Sequence, residues 1–347
     1  MNAPLLDLLK RTSRTFHRTL RVLPSSVRQQ INLAYLLART TDTIADTELV
    51  PVEQRLAALV ELRRCIREGR SGPLGFAELI PGQSATAERE LLEQREAMLA
   101  LLQSSTSPAD RKLIVELLDV IISGQELDLR RFAGGTSERI VALQSEDELD
   151  DYTYRVAGCV GEFWTKICRA HVFPRAPLDH ARLLADGVRF GKGLQLVNIL
   201  RDLAADLRKG RCYLPQPALT AAGLRPQDLL DAAAEKKLHP LYNRYLDLAG
   251  EHLAAGWAYT NSLPWRCVRV RLACAWPVLI GVRTLDRLRV GNPLDRARPI
   301  KITRAEVRGV LFRSVALYPF PALWRGQAPL PEMGAGKLLH PPAVSRK

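Results

Sequence analysis

No stretch of the 347-residue chain reaches the 18 or more consecutive apolar residues of a membrane-spanning helix. Its longest apolar candidates, Leu272–Val282 and Val310–Leu323, are interrupted by Pro277 and Arg313, so nothing is expected to cross a bilayer. The six cysteines (Cys65, Cys159, Cys168, Cys212, Cys267 and Cys274) form no CxxC pair and have no histidine at zinc spacing. That argues against a disulfide framework and a structural zinc site. GxGxxG, the usual mark of a dinucleotide-binding turn, is missing as well. Residues 1–10 set acidic Asp7 inside an apolar patch without a small-residue cleavage site, which is unlike a signal peptide. Reduced thiols and no export signal fit a cytoplasmic protein. Strand-like alternation is nearly absent.

What is present is helical periodicity. Apolar residues recur at helical spacing over Val27–Asp42, Pro51–Glu68, Ala87–Gln103, Ala109–Phe132, Leu149–His171 and His180–Leu207. Breakers cluster at Gly69–Gly75, Ser104–Pro108, Ala133–Ser137, Phe173–Pro177, Gly210–Pro217 and Val290–Pro299, where they read as helix connections. A composition 47% hydrophobic and 25% charged excludes a disordered or low-complexity chain. The expectation is an all-α bundle of about ten helices, one domain over residues 1–327, with a mobile Pro/Gly-rich tail over 328–347. Lys and Arg total 50 against 37 Asp and Glu; the resulting +13 favours an anionic partner: a phosphorylated substrate, an acidic membrane surface or nucleic acid.

Two aspartate pairs carry the chemical signal, Asp42 with Asp46 and Asp202 with Asp206. Positions i and i+4 share one face of a helix, so each pair presents two carboxylates about one turn apart. Magnesium takes one or two carboxylates, keeps several waters and completes its shell with phosphate oxygens, which suits diphosphate binding. The spacing alone is weak, because Asp147 and Asp151 show it at an acidic helix start where they complement the helix dipole. The second pair gains weight from its approach. Gln195, Asn198, Asp202 and Asp206 fall within roughly an 80° sector at about 100° per residue, flanked by Leu196, Val197, Ile199, Leu200 and Leu203. Tyr35, Arg39, Asp42 and Asp46 share a face in the same way; Arg39 suits either a salt bridge or a bidentate phosphate contact. Arg208, Lys209 and Arg211 add positive charge beyond Asp206, as an ordinary basic helix end also does. Ala157, Gly158 and Gly161 allow close approach of either a second helix or a ligand. Tyr152 is either a core tyrosine or a phenol placed to face a carbocation.

Several separated motifs resemble, in order, those of the squalene/phytoene synthase family of head-to-head prenyltransferases. Ser13-Arg14-Thr15-Phe16 is similar to its SRxF, and Arg39 through Asp46 to its first aspartate-rich motif. Tyr152 through Gly161 resembles YCxxVAGxVG, and Gln195 through Asp206 with Arg211-Cys212-Tyr213-Leu214-Pro215 resembles the QxxNIxRDxxxD region and its YLP-like continuation. Pro299-Ile300-Lys301-Ile302-Thr303 is a weaker echo. The chain departs at Thr153, where the family usually has Cys, at Arg155, where animal squalene synthases have a second Tyr, and at Ala45 and Ala205, where those enzymes often have Glu.

The resemblance implies an isoprenoid-synthase-type helical bundle around a central cavity. It implies a transferase that joins two farnesyl diphosphates through presqualene diphosphate to squalene, with Mg²⁺ on Asp42, Asp46, Asp202 and Asp206 and reduction by NADPH. The substrate contacts it implies are Ser13, Arg14, Phe16, Tyr35, Arg39, Ala157, Gly158, Gly161, Gln195, Asn198, Arg211 and Tyr213. Tyr152 would handle the proton or the cation, and Lys301, Thr303 and Arg304 the nicotinamide phosphates. The Asp42-Thr43 opening looks more like squalene synthases than like phytoene synthases. A phytoene or dehydrosqualene synthase without NADPH, and a catalytically silent scaffold on anionic membranes, are the alternatives. Nucleic acid is not an expected partner, and no pattern in the chain sets an oligomeric state. Phe312, Leu317, Tyr318, Phe320, Leu323 and Trp324, near Arg313 and Arg325, suggest peripheral contact with the inner face of a membrane, or else core packing.

Overall fold

The computed structural model describes residues 1, 3–13, 16–47, 49–69 and 86–328. Arg14, most of the breaker segment after Gly69, and residues 329–347 of the expected tail lie outside the described residues. The helices are α1 (Ala3–Ser13), α2 (His17–Val22), α3 (Ser25–Ala45), α4 (Val52–Glu68), α5 (Thr86–Glu93), α6 (Arg95–Ser104), α7 (Pro108–Arg131), α8 (Glu146–Thr153), α9 (Cys159–His171), α10 (His180–Arg208), α11 (Gln216–Ala221), α12 (Glu235–Ser262), α13 (Val268–Val290), α14 (Arg304–Leu317) and α15 (Pro321–Arg325). The all-α expectation holds. There are more, shorter helices than the periodicity indicated: the expected Ala87–Gln103 helix is broken at Gln94 into α5 and α6.

Start and stop signals are local. Ser107 caps α7 by accepting from the Asp110 N–H with Pro108 at the first helical position, and Asp179 caps α10 by accepting from the Arg182 N–H. At about 1.5 Å per residue, the 29 residues of α10 make the longest rod of the bundle. It packs against α9, α12 and α13, while α3 packs against α4 and α7. Between α8 and α9 the helix passes through one wide π-type turn, Tyr154–Gly158.

One element escaped the helical reading. Strand β1 (Val141–Leu143) pairs in parallel with β2 (Arg211–Pro215), with Val141 opposite Arg211 and Ala142 opposite Cys212. The chain enters β2 through Gly210 at φ 76°, where an added Cβ would lie 2.2 Å from the Thr136 nitrogen; only glycine fits that turn. Alternate residues of a strand face one side, so β2 sends Cys212 and Leu214 into the core and carries Arg211 and Tyr213 to the site described below. All six cysteines are free and buried.

Candidate active site

A cavity of about 440 Å³ lies between the C-terminal turns of α3 and α10, closed by α7, the end of α8 and β2. Its lining includes Arg39, Asp42, Asp46, Tyr152, Gln195, Asn198, Asp202, Asp206, Arg211 and Tyr213. These expected residues come from four separate parts of the chain. Both aspartate pairs sit at helix C-termini, where the carbonyl ends of the dipole add negative potential. Such a pocket penalises ionised carboxylates and rewards a cation.

The pairs are held differently. Asp42 accepts from Arg39 Nη1 at 2.9 Å and from Gln125 Nε2 at 2.7 Å. Burial pushes its carboxyl up, against the pull of Arg39, and Asp46 adds to the rise. Asp202 is gripped in a fork by its neighbour Arg201, whose Nε donates to Oδ1 at 2.9 Å while Nη2 donates to Oδ2. Asp206 is pushed up to about 7, first by burial and then by the Asp202 charge. Asn198 Nδ2 donates to Gln195 Oε1 at 3.5 Å, which aligns the two amides along α10.

Asp128, Gln125 and Arg201 also line the cavity, and sequence reasoning gave them no role. Gln125 and Asp128 are three residues apart on α7, a polar pair among Ile121, Ile122 and Leu129 that repeats the Gln195/Asn198 design. The Tyr213 hydroxyl donates to Asp128 Oδ2 at 3.0 Å, and Arg211 Nη1 lies 3.7 Å from the same oxygen. Burial pushes Asp128 up to about 6. The Tyr152 and Tyr213 rings stack with centroids 4.5 Å apart. Burial, reinforced by Asp128, keeps the Tyr152 phenol well above its ordinary value, so it is neutral at physiological pH.

The remaining expected residues fall elsewhere. Phe16, Ala157 and Gly161 line a second cavity of about 160 Å³, whose walls are mostly apolar residues such as Trp164, Phe190 and Leu194. The two cavities run along the same pair of helical walls. Tyr152 and Val156 border the first and Ala157 the second, while along α10 Gln195 and Asn198 border the first and Phe190, Gly191 and Leu194 the second. A polar cavity thus neighbours an apolar one along these two walls. The small residues serve helix contact as well as this lining: a Cβ on Gly161 would lie 1.8 Å from the Gly187 oxygen, and one on Gly191 2.0 Å from the Ala157 oxygen. Gly158 is packed between Tyr154, Val188 and Lys192. Tyr35 stacks on Phe16 at 5.6 Å and donates to the Thr12 oxygen, tying α3 to the first helix, while the Ser13 hydroxyl donates to the Leu9 oxygen within α1.

Lys301, Thr303 and Arg304 border neither cavity. Thr303 is the cap of α14: its hydroxyl accepts from the Glu306 N–H, and the Glu306 carboxylate accepts from the Thr303 N–H at 2.7 Å. Of the suspected surface patch, Tyr318 and Trp324 are buried, because they pack around the guanidinium of buried Arg271, 5.4 Å from the Trp324 ring.

Residues 9–306 match the squalene/phytoene synthase family, and the chain belongs to it. It is 30% identical over 255 residues to presqualene diphosphate synthase of Rhodopseudomonas palustris, covering 74% of this chain and 77% of that protein. It is 27% identical over 335 residues to the bifunctional lycopene cyclase/phytoene synthase of Blakeslea trispora, covering 92% of this chain and 49% of that protein. The chain therefore spans about half the length of that bifunctional relative. The solved structure of TcSQS with the ligand E5700 superposes with a TM-score of 0.74 at 21% identity, over 92% of this chain and 90% of that one. This is an all-α isoprenoid-synthase fold, and the family's enzymes are of the prenyltransferase type.

Proposed function

We propose that the protein joins two farnesyl diphosphates head to head to form presqualene diphosphate, releasing diphosphate and one proton. The observation that carries this reading is the two carboxylate pairs lining a polar cavity that neighbours an apolar one along the same helical walls. The similarity to a presqualene diphosphate synthase supports it.

The carboxylates fit divalent cations. Among the described residues no three acidic, His or Cys side chains converge into a ready-made metal site, and two carboxylates on each wall leave positions for phosphate oxygens. An Asp206 held near 7 and a buried Asp128 Oδ1 without a hydrogen-bond partner mark negative charge that the protein alone does not neutralise. Asp42, Asp46, Asp202 and Asp206 would hold Mg²⁺, which supplies neutralisation of the diphosphate as its C1–O bond breaks. Arg39 and Arg211 hold phosphate oxygens at the rim, and Gln125 and Arg201 fix Asp42 and Asp202 in place. The apolar end keeps water from the allylic cation while the double bond of the second molecule attacks it. Neutral Tyr152 faces that cation with its ring and oxygen lone pair. The proton lost on closing the three-membered ring passes along Tyr152 and Tyr213 to Asp128, whose raised pKa suits it to accept.

The reading ends at the cyclopropyl diphosphate, the product for which the Rhodopseudomonas palustris relative is named. Incubating the purified protein with farnesyl diphosphate and Mg²⁺, with and without NADPH, and in parallel with geranylgeranyl diphosphate and Mg²⁺, tests it. Presqualene diphosphate should form from farnesyl diphosphate with and without NADPH. Unconsumed farnesyl diphosphate, or turnover of geranylgeranyl diphosphate alone, refutes the reading, and squalene appearing only with NADPH extends it by the reductive step.

A further inference from the structure

Helix α14 is barely part of the core: of its fourteen residues only Ser314 is buried, and it is pinned through the Ser314 hydroxyl, which accepts from Trp276 Nε1 at 2.9 Å. Its outward face is not an ordinary solvated one. At about 100° per residue, Arg304, Arg308, Phe312 and Val315 fall within one sector of roughly 80°. Phe312 is 77% exposed and Val315 53%. Phe320 and Leu323, beside and on α15, add two more large apolar side chains at 57% and 56% exposure. The acidic residue of the helix, Glu306, is turned aside onto Arg287 and the Thr303 cap.

We infer that this face docks on an anionic lipid surface. Exposed apolar side chains sharing a helix face with arginines match an interfacial helix, whose apolar side chains enter the acyl boundary while its cations meet lipid phosphates. The charge pattern disfavours a second copy, since a symmetric pairing would set arginine against arginine in a chain carrying +13 overall. The place of the face in the fold agrees. Helix α13 carries Trp276, which holds α14, and its neighbouring residues Ala273, Cys274 and Pro277 line the apolar cavity, so the docking face is one helix away from the hydrocarbon end of the site. The inference goes beyond the proposed reaction and does not depend on it, because binding is read without substrate.

The test is flotation of the full chain with phosphatidylcholine vesicles with and without phosphatidylglycerol, at low and high salt. Wild type should float with the anionic vesicles at low salt and be released by salt. Each basic side chain near an anionic leaflet favours partitioning by about fivefold, so Arg308→Glu, which removes one charge and adds the opposite one, should weaken it about 25-fold. Phe312→Ser with Phe320→Ser should abolish flotation with the urea midpoint and farnesyl diphosphate turnover in detergent unchanged. Equal recovery with neutral and anionic vesicles, or Arg308→Glu floating like wild type, overturns the inference. So does light scattering that shows wild type as a dimer and the Phe variant as a monomer, which would assign the face to a second copy.

Discussion

Asp206→Asn should make the protein more stable at pH 8 while destroying its activity. In the folded protein Asp206 is held at about 7 against the usual aspartate value of 3.8, by burial first and by Asp202 second. A raised carboxyl means that between those two values the native state keeps a proton the unfolded chain has lost. Stability therefore falls as pH rises through that window and is lowest above 7. At 1.36 kcal/mol per pH unit, the gap sets an upper bound of about 4 kcal/mol, and relaxation of a half-open pocket leaves on the order of 1–3 kcal/mol to be observed. Asparagine copies the shape of the neutral acid, so the variant escapes the penalty. Equilibrium urea unfolding of both proteins from pH 4 to pH 8 measures this: the curves should agree near pH 4 and separate as pH rises, with the variant above. Some slope remains in the variant because Asp128, at about 6, titrates in the same range with the same sign. Parallel curves, or a variant less stable than wild type at pH 8, would refute the claim that the site stores uncompensated negative charge. Mg²⁺ with inorganic diphosphate should narrow the gap by stabilising wild type preferentially.

Asp42→Asn and Asp202→Asn should each lower farnesyl diphosphate turnover by orders of magnitude with little change in circular dichroism, and wild-type turnover in excess EDTA would contradict the metal assignment. Tyr213→Phe removes the hydrogen bond that holds Asp128 down. The acidic limb of the kcat/KM profile should then move to higher pH as turnover falls, and an unmoved limb would separate Asp128 from the proton path. Gly161→Ala sets a methyl 1.8 Å from the Gly187 oxygen, so α9 and α10 must part. Urea unfolding should show a loss of about 1–3 kcal/mol, and an unchanged midpoint would mean that the two helices do not meet backbone to backbone.

What was readable in the chain follows how local each signal is. Both aspartate pairs and the Gln195-to-Asp206 stripe were legible because one helix face encodes each of them. That the two faces meet across one cavity is a tertiary fact, and only the resemblance carried it. Strand β2 was hidden because it is five residues long and finds its partner some 70 residues upstream, so neither strand makes a pattern by itself. Gln125 and Asp128 were missed although their spacing was visible, because they form no motif until α7 brings them against Asp42 and Tyr213.

Thr303 has a local reason of its own. Thr303-Arg304-Ala305-Glu306 is a capping box, a local signature that starts α14 and was legible in the sequence. The aromatic patch divides on the same principle. Tyr318 and Trp324 turn inward because buried Arg271, with no carboxylate partner among its hydrogen bonds to Asn261 and Leu263, is surrounded by aromatic faces instead. Phe312 and Phe320 make no such cation contact among the described residues and stay exposed. Composition could not separate the two halves of that patch; the position of one buried cation does, drawing Tyr318 and Trp324 inward and leaving Phe312 and Phe320 exposed.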